Sequence, residues 1–374
     1  MLTQEGAVLD ADALFAPLAG YASLVLAVSG GPDSVALMLL AARWALRAEK
    51  TIVVATVDHG LREGSRHEAQ TVGEWARALG FAYRVLVWEG EKPRTRVQER
   101  AREARYALLA QCAREVGAGV VVAAHHADDQ AETVLFRLTR GSGVAGLAGM
   151  AARGDIRAVS AEVDAGSAQE TATKQDSRAR LRSILIGDRS SGVALARPLL
   201  GVDKTALEAE CARAKHPFFR DPSNQNPAFA RVKLRALRET LAAQGLDRDA
   251  LLRLARRAAQ AEEALAWSAA QTSEAALLRR DGKETRFDAG ALRAAPREIL
   301  QRVVGVEIAR LAAPERLRLD ALERAAQTLA EALSSNKGAR ITLAGAALRV
   351  ESGALVVARA PPRRRSAGEK PPDA

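Results

Sequence analysis

Short, nearly uninterrupted apolar runs alternate with longer helical patterns through the first third of the chain, and this alternation limits the fold more than any other feature. Leu24–Val28 precedes an apolar helical pattern over about Ser34–Ala48, and Thr51–Val57 precedes one over Arg66–Leu79. Phe81–Trp88 precedes an Arg-rich pattern over Thr95–Val116, and Gly119–Ala124 precedes one over Asp129–Arg140. Val- and Ile-rich runs without polar interruption read as strands buried on both faces, the situation in a parallel sheet covered by helices on either side. Crossovers between parallel strands are right-handed, so the expected fold is α/β, a doubly wound parallel sheet of Rossmann-like form.

The pattern breaks over about 153–191. That segment is rich in Ala, Ser, Asp, Glu and Gln, buries too little to offset its ordering entropy, and reads as a flexible insertion. Val193–Leu200 then reads as a last strand of the sheet. From about Arg231 into the 330s, apolar residues recur at spacings of three and four, which predicts a mostly helical second region over 236–335. Ala339–Ala360 reads as a small terminal strand pair turned at Ser352-Gly353, a β element over 336–360, and the Pro- and charge-rich 361–374 reads as a disordered tail.

Composition narrows the function classes. Two cysteines, Cys112 and Cys211, lie far apart and in no CxxC pair, which excludes a disulfide framework, a Cys-based zinc finger and a cysteine-held cluster. No apolar run approaches the ~18 residues of a membrane span, and the acidic start lacks the pattern of a signal peptide, so a cytoplasmic location is expected. Lys and Arg number 55 against 45 Asp and Glu, a net charge of +10 that suits either a polyanionic partner or an Arg-rich solvated surface.

The strongest local signal is Ser29-Gly30-Gly31-Pro32-Asp33-Ser34, between the first buried strand and its helix. Two glycines allow positive φ and close approach of the backbone to a ligand, and free N–H groups at a helix start suit a pyrophosphate. Ser34 adds a hydroxyl donor. A carboxylate at Asp33 would repel phosphates unless a bridging Mg²⁺ converts it into a ligand. The Walker pattern GxxxxGK[ST] is absent, which disfavours γ-phosphoryl transfer. Gly141–Gly146 matches GxGxxG literally, but follows a helix with no βαβ unit around it, so it reads as a flexible loop and not as a dinucleotide site.

Two further segments end strands on the same sheet edge. In Asp58-His59-Gly60-Leu61-Arg62, Asp58 and the backbone turn suit an adenine or ribose. His125-His126-Ala127-Asp128-Asp129-Gln130-Ala131-Glu132 follows the fourth strand; if strand order reverses beside the first strand, this segment and the Gly-rich loop flank one crevice. His125, Asp129 and Glu132, at helical spacings, suit metal ligands, and Mg²⁺ held jointly with ATP fits the acids better than zinc. A plain capping box, with Asp129 as N-cap and Glu132 at the third position, leaves the paired histidines and Asp128 unexplained. On the Arg-rich helix, Arg96, Arg100, Arg102 and Arg105 read as a solvated face, with Arg102 and Arg105 three apart as a plausible phosphate clamp.

In their order, SGGPDS, VDHGLR, AREARY and HHADDQAET resemble the tRNA(Ile)-lysidine synthases, a family of the PP-loop ATP-pyrophosphatase superfamily. SGGxDS belongs to the whole superfamily; the other three are more diagnostic. RGSGVAGLAGM, RPLL, DPSN (Asp221–Asn224) and the Arg231/Arg235 stretch extend the match to about residue 240. The resemblance implies a PP-loop catalytic domain over 1–235 and a helical tRNA-binding domain over 236–335. It implies a reaction in which ATP adenylates O2 of the wobble cytidine of a tRNA(Ile) with a CAU anticodon. Free L-lysine then displaces AMP to give lysidine. It places Ser29, Gly30, Gly31, Pro32, Asp33, Ser34, Asp58 and His59 at ATP, Asp33 and Asp129 at Mg²⁺, Arg105 at a nucleotide or phosphate, and Asp129 and Glu132 at the lysine amine or metal. The nearest rival within the superfamily, a tRNA thiolase, needs a sulfur donor that neither cysteine is placed to supply. A non-catalytic ATP-sensing module would not require the acids of HHADDQAE. A glutamine-dependent ligase would need an amidotransferase segment that is not visible.

Overall fold

The computed structural model describes residues 8–60, 64–90, 92, 93, 95, 97–156, 192–220, 237–312, 317–351 and 353–361. Most of the 153–191 segment, Asp221–Asn224, Arg231, Arg235, Arg96, Leu61, Arg62, Ser352 and the tail beyond 361 lie outside the described residues. The chain forms two compact units, Met1–Glu263 and Ala264–Ala374. The expected boundary at 235/236 falls on residues that are not described.

In the first unit the strands are β1 (Ser23–Ala27), β2 (Thr51–Asp58), β3 (Ala82–Val87), β4 (Val120–Ala123), β5 (Arg153–Asp155) and β6 (Ala194–Ala196). They form one sheet in the order β3-β2-β1-β4-β6-β5. All neighbours are parallel except the edge pair β5–β6. Helices α1 (Ala11–Phe15), α2 (Pro32–Ala48), α3 (Ser65–Ala78), α4 (Val97–Glu115), α5 (Ala127–Leu138), α6 (Val144–Leu147) and α7 (Lys204–Arg213) connect and cover these strands. The pleat sorts β1 between two cores. Leu24 and Leu26 pack with α2, Val72 of α3 and Leu207 of α7, while Val25 packs with Tyr106 and Leu109 of α4. A strand buried on both faces has no room for polar residues, which is why β1 and β4 are so uniformly apolar; β3, expected to be buried likewise, is an edge strand that is largely exposed and carries Arg84. Order reverses at β1, flanked by β2 on one side and β4 on the other, so the loops after β1 and β4 diverge around a crevice at the carboxyl edge. The short helix α8 (Arg238–Ala243) and the start of α9 (Arg248–Ala275) place Leu241 and Leu251 against Ala131 and Leu135 of α5.

The second unit holds β7 (Leu277–Arg280), β8 (Glu284–Asp288), α10 (Ala289–Arg293), α11 (Arg297–Ala312), α12 (Leu319–Ser335), β9 (Ala339–Leu343), β10 (Ala346–Glu351) and β11 (Ala354–Arg359). The stretch expected as a strand pair, Ala339–Ala360, forms three strands, β9, β10 and β11, which with β7 and β8 make a five-stranded antiparallel sheet, β7-β8-β11-β10-β9. Two of its strands lie within the stretch read as helical. Only Thr285 and Phe287 of β8 are buried, too short an alternation to outweigh the surrounding helical period. Phe287, Leu348, Leu355 and Val357 meet Leu300, Val304 and Leu329 of the helices in one core.

Buried in that unit is Glu307 of α11, only 1 % exposed. It accepts from the Thr285 hydroxyl at 2.7 Å and from Arg310 Nε at 2.7 Å, and pairs with Arg280 at 2.9 Å. Removing the carboxylate leaves two cations and a hydroxyl facing one another. Glu307→Ala is therefore expected to destabilise the chain by about 2–3 kcal/mol, below the full penalty of a buried pair because both arginines retain water contact. Chemical denaturation of the whole chain measures this; an unchanged midpoint would show that the network contributes nothing.

Candidate active site

The loop after β1 is shaped by three hydrogen bonds. Ser29 N–H donates to Ser34 Oγ at 3.2 Å, and the Ser34 hydroxyl donates to the Gly31 carbonyl at 2.9 Å. With the Ser34 proton so engaged, the 3.3 Å contact between the two hydroxyls is donated by Ser29. Pro32 opens α2, where its missing N–H is no loss and its fixed φ is already helical. The two glycines differ. Gly30 has φ +86°, and a Cβ there would lie 2.6 Å from the Phe219 ring and 3.1 Å from Val72. Its carbonyl accepts from Phe219 N–H at 2.8 Å. Gly31 has φ −73°, open to any residue, and a Cβ would meet only Ser29 Oγ at 3.9 Å. Packing requires Gly30; nothing among the described residues requires Gly31, whose bare backbone suits the close approach of a phosphate.

Across the crevice the N-cap of α5 is His126, not Asp129. Its Nδ1 accepts from Asp128 N–H at 3.2 Å, and Asp129 Oδ2 accepts from His126 N–H at 3.1 Å. The capping box thus lies three residues earlier than the sequence pattern gave, with Asp129 at its third position. Of the paired histidines, His126 is buried, with Nε2 3.5 Å from Asp33 Oδ2 and 3.5 Å from Asp129 Oδ2. Nδ1 as an acceptor leaves the hydrogen on Nε2, between the two carboxylates. Burial alone would pull His126 down, but its hydrogen bond to Asp33 and the charges of Asp129, Asp33 and Asp128 hold the imidazole above its usual range. Asp129 is pushed up by burial; His126 opposes the rise, while Glu132 and Asp33 add to it. Asp33 Oδ1 is buried without a hydrogen-bond partner among the described residues. Asp128 serves elsewhere, accepting from Lys204 N–H at the start of α7 at 3.4 Å.

Glu132, 7 % exposed, lines a cavity of about 180 Å³ with Leu135, Leu241, Leu246, Asp247 and Arg248. The expected acids are therefore brought together, and His126 is the member that sequence spacing missed. The two adjacent histidines were visible; which one faces Asp33 depends on the helix start. Among the described residues no three His, Cys, Asp or Glu side chains form a closed metal cage. Two crowded carboxylates, one with a buried unpartnered oxygen, fit a hard cation that completes its shell with ligand phosphates.

On the other side of β1, Asp58 Oδ1 accepts from Gly60 N–H at 2.9 Å and from the Ser65 hydroxyl at 2.6 Å. That shared acceptance, Ser65 foremost, holds its carboxyl below the usual range and fixes the turn after β2. Arg105 of α4 reaches His59 Nε2 with Nη2 at 3.2 Å and Nε at 3.4 Å. Arg102 lies over the Tyr106 ring at 5.1 Å, so the two arginines engage different partners within the protein. Arg100 pairs with Glu103 on the surface. Gly141–Gly146, expected to be loose, leads into α6 and is held from within. Arg137 donates to the Gly146 and Gly149 carbonyls at 3.1 and 2.8 Å, and Gln130 exchanges two bonds with Met150 at 2.6 and 2.9 Å.

A family described as a PP-loop domain matches residues 7–162 and 171–241. A tRNA(Ile)-lysidine synthase of Bradyrhizobium sp. (strain BTAi1) is 43% identical over 374 residues, 95% of either chain. One of Methylobacterium sp. (strain 4-46) is 45% identical over 349 residues, 92% of this chain and 90% of that one. One of Bradyrhizobium diazoefficiens is 40% identical over 377 residues, 95% of each. Among solved structures, a U34-tRNA thiolase of Methanococcus maripaludis overlays with a TM-score of 0.44 at 13% identity, covering 63% of this chain and 71% of that one, too slight a likeness to bear on the reaction.

The two glycines make separable predictions. Gly30→Ala should destabilise the chain by about 1–3 kcal/mol through positive φ and the Phe219 collision. Gly31→Ala should leave stability within about 0.5 kcal/mol yet weaken ATP binding. Thermal unfolding beside equilibrium dialysis with ATP separates them, and unweakened ATP binding by Gly31→Ala would remove that glycine from the phosphate site.

Proposed function

Given that the chain belongs to the tRNA(Ile)-lysidine synthase family, we propose that it ligates lysine to the wobble cytidine of tRNA(Ile) bearing a CAU anticodon. The observation that carries the reading is the meeting of Asp33 and Asp129 at His126 Nε2. It joins a loop suited to phosphates with the acids of α5 at the topological switch point. In the first step O2 of the cytidine attacks the α-phosphorus of ATP. Its bond to the β-phosphate oxygen breaks, and pyrophosphate leaves. The oxygen is now part of a good leaving group. The lysine ε-amine then bonds to C2, the C2–O2 bond breaks, AMP departs with that oxygen, and the nitrogen gives up a proton. An anticodon loop is single-stranded, so the base enters at small unpairing cost.

Gly30, Gly31 and the start of α2 receive the ATP phosphates in a loop whose shape Ser29 and Ser34 hold, and Asp58 with its turn borders the nucleoside. Asp33 and Asp129 would hold Mg²⁺, which supplies charge neutralisation for the pyrophosphate when bound. A cation there relieves the crowding that pushes Asp129 up. The cavity beside Glu132, with its leucine walls, accommodates the four-carbon stem of L-lysine; its amine meets Glu132, which accepts the proton. Sulfur transfer is disfavoured. Cys211 Sγ donates to the Pro32 carbonyl at 3.4 Å, and burial pushes its thiol up to about 11, so it is not a thiolate at neutral pH. Cys112 is also buried and raised.

For the tRNA body, the second unit offers a row of arginines. Arg279, Arg286, Arg349 and Arg340 lie in register across four of its five strands, with Val356 completing the row. With aromatic residues at only 4%, backbone contacts dominate the reading, and the region 236–335 with the sheet serves that grip. Among the described residues no helix is long and apolar enough to cross a membrane. A tRNA substrate places the enzyme in the cytoplasm.

The test supplies ATP, Mg²⁺, labelled lysine and a CAU-bearing tRNA(Ile) transcript to wild type, Asp129→Asn and Glu132→Gln. Wild type should transfer lysine, and both variants should fall by about 10²-fold or more. Glu132→Gln should still release pyrophosphate in a tRNA-dependent way, whereas Asp129→Asn should not. Pyrophosphate release by wild type without lysine transfer would sink the lysidine assignment. Cys112→Ala and Cys211→Ala should each retain lysine transfer; loss of transfer in a folded variant would revive the sulfur-transfer reading.

A further inference from the structure

The sheet of the first unit ends on β3, whose one strand neighbour among the described residues is β2. Beside this edge lies a groove of about 500 Å³, lined by Arg84 and Leu86 of β3 and by Leu108, Gln111, Cys112 and Glu115 of α4. The residue after β3, Trp88, donates its N–H to the Asp58 carbonyl of β2 at 2.9 Å. Successive residues of an extended strand turn their backbone groups to opposite sides. Arg84 and Leu86 therefore face β2 with Trp88, and the N–H and C=O of Tyr83, Val85 and Val87 face away from the sheet. The side chains of those three share one face. Tyr83 lies against α3, its hydroxyl donating to the Ala69 carbonyl, while Val85 and Val87 are 40% and 44% exposed. On the other face Leu86 packs on the α4 core, and Arg84 pairs with Glu115 at 3.2 Å.

An open edge is a template for another strand, and proteins ordinarily blunt it. The remaining edges are blunted. β5 is three residues long, β7 is broken by a register shift and ends in Arg279 and Arg280, and β9 turns Arg340 and Thr342 to solvent. By contrast β3 runs six residues in unbroken register, contains no proline, and has its one charge matched by Glu115. It also complements itself. About a two-fold axis at Val85, this residue faces its own copy and Tyr83 faces Val87. All three have outward backbone groups, so each pair is of the kind that exchanges two hydrogen bonds. A register shifted by one residue would set them against residues whose backbone groups face β2. The charges are compatible as well. A chain of net charge +10 repels its copy, but at this edge Arg84 and Glu115 cancel. Arg77, 5.7 Å from the Tyr83 ring, stands by the start of the strand, so its two copies lie at opposite ends of the pair.

We propose that β3 pairs antiparallel with β3 of a second copy of this chain about an axis at Val85, joining two six-stranded sheets edge to edge and covering Val85, Val87 and the groove beside α4. Because the paired strands run oppositely, the carboxyl edges of the two sheets point in opposite directions. Neither crevice then covers the other.

Sedimentation of the full chain over a concentration series tests the pairing, with thermal unfolding reporting whether each protein is folded. Wild type should sediment as a dimer at about 10 μM. Val85→Lys sets two ammonium groups against each other at the axis, and Val85→Asp two carboxylates, so each alone should self-associate about tenfold more weakly or worse. Mixed in equal amounts, the two variants should associate at least about tenfold more tightly than either alone, since at this axis Lys meets Asp. A wild type that stays monomeric to about 100 μM overturns the proposal, as does a folded Val85→Lys that dimerises like wild type. Failure of the mixture to reassociate overturns it too, because another axis would not bring residue 85 against itself. Should the variants not fold, hydrogen exchange of wild type decides. The amides of Tyr83, Val85 and Val87 should be protected at high concentration and lose protection on dilution, while those of Arg84 and Leu86 stay unchanged. Equal exchange of all five at both concentrations overturns the pairing. None of these measurements involves ATP or tRNA, so the outcome is independent of the lysidine assignment.

Discussion

Everything at the crevice depends on β1 being hydrogen-bonded on both edges to parallel strands. A parallel strand pair needs a crossover, and a strand with parallel neighbours on both sides sends its crossovers in opposite directions. The loop leaving β1 is thus flanked by the loop after β4 and the loop after β2. The apolar interior of β1 makes this arrangement stable: Leu24, Val25 and Leu26 are fully buried, and a polar residue at any of them would lack a partner. The polar chemistry is displaced to the carboxyl ends, where backbone groups leave the sheet and side chains meet water.

The two sides of that edge carry opposite charge. Toward β4 lie Asp33, Asp129 and Glu132 around His126; toward β2 and β3 lie Lys92 and Arg105 around His59. His126 sits among carboxylates, whereas His59 stands between the cations of Arg105 and Lys92 and the carboxylate of Asp58, and the physical consequences diverge. His126 is stabilised as a donor between carboxylates, and His59 is kept neutral beside a guanidinium. A substrate set that combines a nucleotide, an RNA loop and an amine needs both environments. Carboxylates suit cationic partners, and the basic side suits phosphate. Separating them across β1 keeps the two sets from neutralising each other.

Structural support for the Gly-rich loop comes from far along the chain. Phe219 fills the space beneath Gly30 and donates its N–H to the Gly30 carbonyl; Trp75 stacks on Phe219 with ring centroids 5.1 Å apart. Cys211 adds a thiol donor to the Pro32 carbonyl. The loop therefore presents its outer face while its inner face is closed by packing. The Gly141–Gly149 segment is secured in a similar way by Gln130 and Arg137 of α5, the helix that also carries Asp129 and Glu132. One helix organises both its own acids and the turn beyond it.

What the sequence by itself determined was the order of the first four strands and their helices, the position of the phosphate loop, and the set of acids after the fourth strand; the edge strand β5, at the start of the stretch read as a flexible insertion, was not among them. These are local properties: a run of β-branched residues, a pair of glycines before a helix, and carboxylates at helical spacing each act within a few residues of themselves. Tertiary structure decided what depends on distant partners. Which of two adjacent histidines reaches Asp33 is set by where α5 begins, and that in turn by a capping box whose register spacing alone did not reveal. That Gly30 is required and Gly31 is not follows from Phe219, remote in sequence. That Arg105 is held by His59, and not paired with Arg102, depends on how α4 lies over β2. Strands β7 and β8 could not be told from their helical surroundings because β7 is an edge strand, largely exposed, and β8 takes its place in the sheet from β11, a strand near the end of the chain. Periodicity reports which face of an element is buried, but not the partner that buries it, and a functional site is made of such partners.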